Sequence, residues 1–203
     1  MNAIDLEKLK RLDKLTEGDY EAFLYDCDGT LADNIMAHKL SYQEVASNYG
    51  IDLDLNLIDE TAGWPTVVVS KEIARRYNVA LPDSFSAEKS AVFIDKYISG
   101  TQPIGFVCEH LKKNAGRVKI GVVSGGTRST VLKTLSVLGI QDQIDVLVCA
   151  GETSHGKPSP DPFLKAAREL NVDPAKCMVF EDGSPGVQAA ESAGMKWIRI
   201  DAV

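Results

Sequence analysis

From residue 103 to its C-terminus the chain alternates between helical patterns and short apolar runs. Helical spacing covers 103–114, 127–138, 161–170 and 185–193. Each is followed by a run of strand length: VKIGVVS (118–124), DVLVCA (145–150), CMVFED (177–182) and KWIRID (196–201). Runs this short and this rich in Val and Ile suit strands buried on both faces. Their alternation with helices predicts an α/β fold, a parallel sheet covered by helices on both sides. An earlier run, from Ala22 to Cys27, supplies one more strand.

Polar residues then fall in a pattern. The first strand stops at Asp26 and Asp28, the second at Ser124-Gly125-Gly126-Thr127. The third is followed by GETSHGKPSPD, which contains Lys157, and the fourth ends in Glu181-Asp182-Gly183. Taken singly, each has a plain reading as a turn residue, a strand-to-helix turn, a solvated lysine or a helix N-cap. Ligands of open parallel sheets, however, bind at the carboxyl ends of strands, and the sheet brings all of these clusters to one edge. Two carboxylates about 4 Å apart repel by roughly 4 kcal/mol at an effective dielectric of about 20. One lysine does not offset several such pairs, so the carboxylates must protonate or hold a cation. No histidine or cysteine lies in these motifs, so a hard, oxygen-liganded dication such as Mg²⁺ fits best.

Residues 34–99 differ from the rest. Helical patterns at 34–49, 53–60, 65–78 and 84–98 are separated by Gly50, Gly63, the Leu81–Ser84 stretch and Gly100. Val67, Val68 and Val69 suggest a strand, but Ile73, Ala74 and Tyr77 continue them at helical spacing, so the block reads as an all-helical insert. Residues 3–15 carry leucines at helical spacing and read as an amphipathic helix ahead of the fold. A length of 203 residues suits one core with such an insert. A formal charge of −7 with no basic stripe argues against nucleic acid or an anionic membrane as partner. The N-terminal segment has no apolar core of the secretory type, and no apolar run approaches membrane-spanning length. Cys27, Cys108, Cys149 and Cys177 are scattered without paired spacing and are expected reduced and buried, as in a cytoplasmic protein. Trp197 is expected in the core and Arg128 on a helix surface.

Four motifs together resemble the haloacid dehalogenase superfamily of aspartate-nucleophile phosphotransferases: Asp26-Cys27-Asp28-Gly29-Thr30-Leu31-Ala32-Asp33, then Ser124, then Lys157-Pro158-Ser159-Pro160-Asp161, then Val179 through Met195 with Glu181 and Asp182. The resemblance covers nearly all the chain from about residue 20. It implies a Rossmann-like catalytic core, 1–31 with 101–203, and a mobile helical cap over 32–100. It implies Asp26 as nucleophile and Asp28 as general acid and base. Ser124, Lys157 and the backbone around Gly29 and Gly125 would hold the phosphoryl oxygens. Mg²⁺ would sit on Asp26, the Asp28 carbonyl and Asp182, with Glu181 beside it.

Within the superfamily the chain is similar to the β-phosphoglucomutase-like branch. His38 occupies a place where that branch often has a cap histidine; it also reads as a plain helix-surface residue. Trp64 reads either as a wall of the substrate pocket or as packing within the cap. Similar dehalogenases and phosphonatases lack the second aspartate, so Asp28 favours phosphoester chemistry. The mutases carry an arginine where this chain has Thr66, in Gly63-Trp64-Pro65-Thr66, a form more like small-sugar phosphatases. The expected activity is a Mg²⁺-dependent phosphatase of a small phosphorylated metabolite, a sugar phosphate, in a monomer; the alternative is a mutase with the same nucleophile. A non-catalytic binding protein would be expected to have lost at least one of these residues.

Overall fold

The computed structural model describes residues 2–203. Helix α1 (Ala3–Leu15) leads to strand β1 (Ala22–Tyr25). A two-residue strand, β2 (Ala32–Asp33), opens a helical stretch of α2 (Ile35–Ser47), α3 (Asn56–Glu60), α4 (Thr66–Tyr77) and α5 (Phe85–Val92). This stretch closes on β3 (Gln102–Pro103). Then α6 (Gly105–Asn114), β4 (Lys119–Val123), α7 (Arg128–Leu138), β5 (Val146–Val148), α8 (Asp161–Leu170), β6 (Cys177–Glu181), α9 (Ser184–Ser192) and β7 (Lys196–Arg199) alternate as the sequence predicts.

The main sheet is parallel throughout, in the order β5-β4-β1-β6-β7. β1 is central, with Tyr25 level with Val122 on one side and Phe180 on the other. The connection order reverses there, which opens a crevice beyond its carboxyl end. Alternation along β1 feeds two cores. Phe23 and Tyr25 join Ile120, Val122, Phe180 and the buried faces of α6 and α7. Ala22 and Leu24 join Phe163, Ala166, Ala189 and Ala190 of α8 and α9. The helices between β2 and β3 bury a cluster of their own, including Tyr42, Val45, Leu57, Val69, Ile73 and Phe85. All four cysteines are buried.

Helix α1 lies along α6 and buries Leu12. Its end is tied to the sheet by a buried relay: Thr16 Oγ1 lies 3.0 Å from His110 Nε2, and His110 Nδ1 lies 2.8 Å from the Tyr25 hydroxyl. Burial pulls the His110 pKa down to about 4, so the ring is neutral near neutrality. The unfolded chain takes up this proton first, near pH 6.5. Stability is therefore full above that value and is lost as pH falls from about 6.5 towards 4. The stability advantage of the wild type over His110→Asn should shrink across that window in urea titrations. An advantage that stays constant with pH would rule out the neutral buried ring.

Three local readings are corrected. Trp197 is not in the core: it is 38% exposed and donates its indole N–H to Glu191 at 3.2 Å. β7 is the sheet edge, and Ile198, not Trp197, takes the inward position. The helix expected from 103 begins at Gly105, because Gln102 and Pro103 pair antiparallel with Asp33 and Ala32. The pattern over 84–98 is regular only to Val92, where a wider π turn spans Phe93–Tyr97.

Candidate active site

The polar strand ends do meet. β1 places Asp26 at the crevice, with its N–H on the Phe180 carbonyl at 2.9 Å. Lys157, from the loop before α8, reaches under it and is 5% exposed. Its ammonium donates to Asp26 Oδ1 at 2.5 Å, Glu181 Oε1 at 2.5 Å and the Val123 carbonyl at 2.8 Å, which uses all its donors. Burial alone would depress the lysine; Asp26 and Glu181 outweigh it and hold the value above the usual lysine range.

Asp26, Glu181 and Asp182 each offer an oxygen, all within 4.8 Å of one another. Burial pushes the Asp26 carboxyl well above its ordinary range; Lys157 opposes this, while Glu181 and Asp182 add to the rise. Burial likewise raises Asp182 to about 6, again with Glu181 adding to it, against a 3.0 Å hydrogen bond from the Thr30 hydroxyl. Three carboxylates thus face one ammonium, an excess of negative charge that a dication would cancel. The donor set is all oxygen, as a hard cation prefers. The backbone makes room for it. Gly29 takes φ +88, and a Cβ there would run into the Asp182 carboxylate. A Cβ at Gly186 would run into Glu181.

The Asp28 carboxyl stands outside this cluster. Asn34 Nδ2 donates to its Oδ1 at 2.6 Å, and His38 Nε2 lies 3.2 Å from the same oxygen. Burial would raise Asp28, but His38, Asn34 and the more distant Lys89 bring it down to about 2. His38 is held on its far side by the Lys89 ammonium, 2.5 Å from Nδ1, and stacks on Phe93 at 4.0 Å. Burial, the largest influence, lowers the His38 pKa, and Lys89 lowers it further. A neutral ring that accepts from Lys89 at Nδ1 and donates to Asp28 from Nε2 satisfies both contacts; this tautomer is assigned from the network. Lys89 is 3% exposed and its pKa is lowered to about 8 by burial.

Ser124 ends β4 and is 7% exposed, with its Oγ accepting from the Gly126 N–H at 3.0 Å. Ser124, Gly125, Asp26, Asp28 and Asp182 form the lower wall of a cavity of about 110 Å³. His38, Tyr42, Trp64, Thr66 and Lys89 form the upper wall. His38 is therefore not a plain surface residue, and Trp64 both lines the cavity and packs against the helical cluster. Arg128 is turned away, paired with Glu152 at 2.6 Å.

Sequence reasoning missed Lys89 and Asn34. Lys89 carried a signal: Phe85, Lys89 and Phe93 share one helical stripe, so a lysine sits on an apolar face. Asn34 holds the N-cap position of α2, yet its side chain makes no capping bond and its amide is aimed at Asp28.

The model of the haloacid dehalogenase-like hydrolases matches residues 23–200. The chain is 31% identical over 182 residues to the fructose-1-phosphate phosphatase of Escherichia coli (strain K12), a span of 89% of this chain and 96% of that one. It is 29% identical to a phosphorylated carbohydrates phosphatase of Thermotoga maritima, over 88% of this chain and 83% of that one. Among solved structures, a β-phosphoglucomutase from Clostridium difficile superposes with a TM-score of 0.78 at 29% identity, over 89% of this chain and 84% of that one. With strand order, strand-end residues and these matches in agreement, the chain belongs to the haloacid dehalogenase-like hydrolases.

Proposed function

We propose that the protein is a Mg²⁺-dependent phosphatase that hydrolyses a small phosphorylated carbohydrate through an aspartyl-phosphate on Asp26. The chain is a phosphoric monoester hydrolase. The observation that carries the finer reading is the separation of the two first-motif aspartates: Asp26 lies in the acidic cluster with Lys157, and Asp28 is held apart by Asn34 and His38. One carboxylate is thereby free to attack phosphorus while the other handles the proton.

In this reading the bond between phosphorus and the sugar oxygen breaks as Asp26 attacks. Asp28 gives its proton to the departing alkoxide. It then takes a proton from the water that cleaves the acyl phosphate, restoring Asp26 and releasing inorganic phosphate. His38 and Asn34 keep Asp28 ionised in the free site, the form that accepts a proton in the second step. The negative charge of an incoming ester raises the Asp28 pKa for the first. Ser124 and the backbone at Gly29 and Gly125 hold the phosphoryl oxygens, and Lys157 fixes the attacking carboxylate. Asp26, Asp182 and the Asp28 carbonyl would hold Mg²⁺, with Glu181 in support; bound there, it would neutralise charge on the transferring group. The helices over 32–100 act as a cap that excludes water during attack and readmits it for hydrolysis.

The mutase alternative needs a second phosphate grip, and the upper wall offers little. Thr66 lacks a charge, and Lys89 is engaged by His38 and lies over the Tyr42 ring at 4.6 Å. This favours a monophosphate of a neutral polyol, and the sugar-phosphate phosphatases among the relatives support it. The test is phosphate release with Mg²⁺ from a panel of small phosphoesters that includes hexose 1- and 6-phosphates. Chelator-sensitive release with one preferred ester is expected. No release, together with conversion of β-glucose 1-phosphate to glucose 6-phosphate, would establish the mutase instead.

The metal has a signature in stability. Asp182 is raised to about 6 in the folded protein and lies near 4 unfolded. Without metal the folded state binds the extra proton, so its contribution to stability falls as pH rises from about 4 to 6. Mg²⁺ replaces that proton. Its rise in Tm should be clearly larger at pH 7.5 than at pH 5 in calorimetry; an equal rise at both would remove Asp182 from the metal site.

A further inference from the structure

The loop Gly63-Trp64-Pro65, between α3 and α4, rests on core loops at points where side chains are missing. A Cβ at Gly125 would meet the Gly63 carbonyl oxygen at 2.7 Å and that of Trp64 at 3.2 Å. A Cβ at Gly156 would meet Pro65 Cγ at 2.7 Å and Cδ at 3.2 Å; among the described residues, its two chain neighbours aside, nothing else comes within 4 Å. Neither glycine has a positive φ, so backbone conformation does not demand them. Closeness of approach does. Gly125 follows Ser124 and Gly156 precedes Lys157, so the loop touches the chain immediately beside two residues of the site. Trp64 meanwhile lines the cavity.

We propose that Gly156 is a positioning residue for the cap: with Gly125 it forms a side-chain-free seat for the Gly63–Pro65 loop, and the space at position 156 decides whether Trp64 closes over the cavity. This rests on the reading of the helices as a cap. A methyl group at 156 holds off the Pro65 ring. Interiors do not absorb such an overlap without a shift, and here the movable partner is the whole loop. The seat thus acts on closure rather than on the chemistry of Asp26.

Fluorescence reads closure without reference to catalysis. The chain has 2 tryptophans, so Trp197→Phe leaves Trp64 as the sole tryptophan, read by excitation that spares the tyrosines. In that background, Gly156→Ala should shift Trp64 emission to longer wavelength and increase its quenching by acrylamide. It should also lower kcat/KM about tenfold, mainly through KM. Adding Pro65→Ala removes Cγ and Cδ and should return both readouts most of the way, a rescue that a general loss of stability would not show. The seat is overturned if Gly156→Ala leaves emission and KM unchanged, or if Pro65→Ala fails to restore them. If Gly156→Ala alone does not fold, the double variant must fold, and its failure to do so also overturns the seat. Absence of activity on every phosphoester would instead count against the phosphatase reading, and the emission shift and its reversal would still decide the seat.

Discussion

Asp26→Asn should release no measurable phosphate while leaving the protein at least as stable as the wild type without metal. A fall of about 10⁴-fold or more is the scale for loss of a nucleophile. The amide keeps the shape of the carboxylate and still offers an oxygen to Lys157 in place of the 2.5 Å contact made by Asp26. What it removes is one carboxylate from a cluster of three. Its repulsion with Glu181 and Asp182, which helps push Asp26 up, falls away. Activity and metal-free stability should therefore move in opposite directions, which a simple misfolding explanation does not produce. Steady-state turnover within a hundredfold of wild type would end the assignment of Asp26 as nucleophile.

Lys157→Met should lose both. The methionine fills the space of the lysine stem, but Asp26 and Glu181 lose their shared ammonium. Leaving a buried charge uncompensated costs about 3–5 kcal/mol, a large part of what holds a domain together. The sign of the pH dependence follows. With the cation gone, Asp26, already pushed up by burial, keeps its proton to higher pH than it does unfolded, so the folded state binds more protons and stability falls as pH rises above about 4. Urea unfolding at pH 5 and pH 8 should show the variant much closer to wild type at the lower pH. A deficit equal at both would mean that Lys157 acts through the packing of its buried stem rather than by charge.

The main sheet was legible because its strands are both short and apolar, so each ends where polar residues begin. Asp26, Ser124, Lys157, Glu181 and Asp182 could be assigned to one edge before any coordinates, since a parallel sheet leaves its strand ends no other place to go. What stayed hidden depends on distant partners. Lys89 shares an apolar stripe with Phe85 and Phe93, which marks it as unusual, but its partner is far along the chain and only folding puts it behind His38. The pairing of Ala32 with Pro103 joins two-residue strands, too brief to show any periodicity. Trp197 failed for a related reason: an apolar run does not reveal which strand of a sheet will lie at its edge. The contact of Pro65 with Gly156 is equally silent, because a glycine in a loop looks the same whether it turns the chain or makes way for a neighbour.

The short ladder of β2 and β3 has a consequence for how such a chain tolerates change. Departure and return of the helical stretch lie side by side, Asp33 level with Gln102. Residues between these points alter no strand register below them. Doubling the length of a flexible connection between fixed ends adds only about 0.6 kcal/mol of closure entropy. If the helical stretch is the cap proposed above, it can therefore grow, shrink or be rebuilt as a self-contained cassette while the strand ends beneath it keep their register.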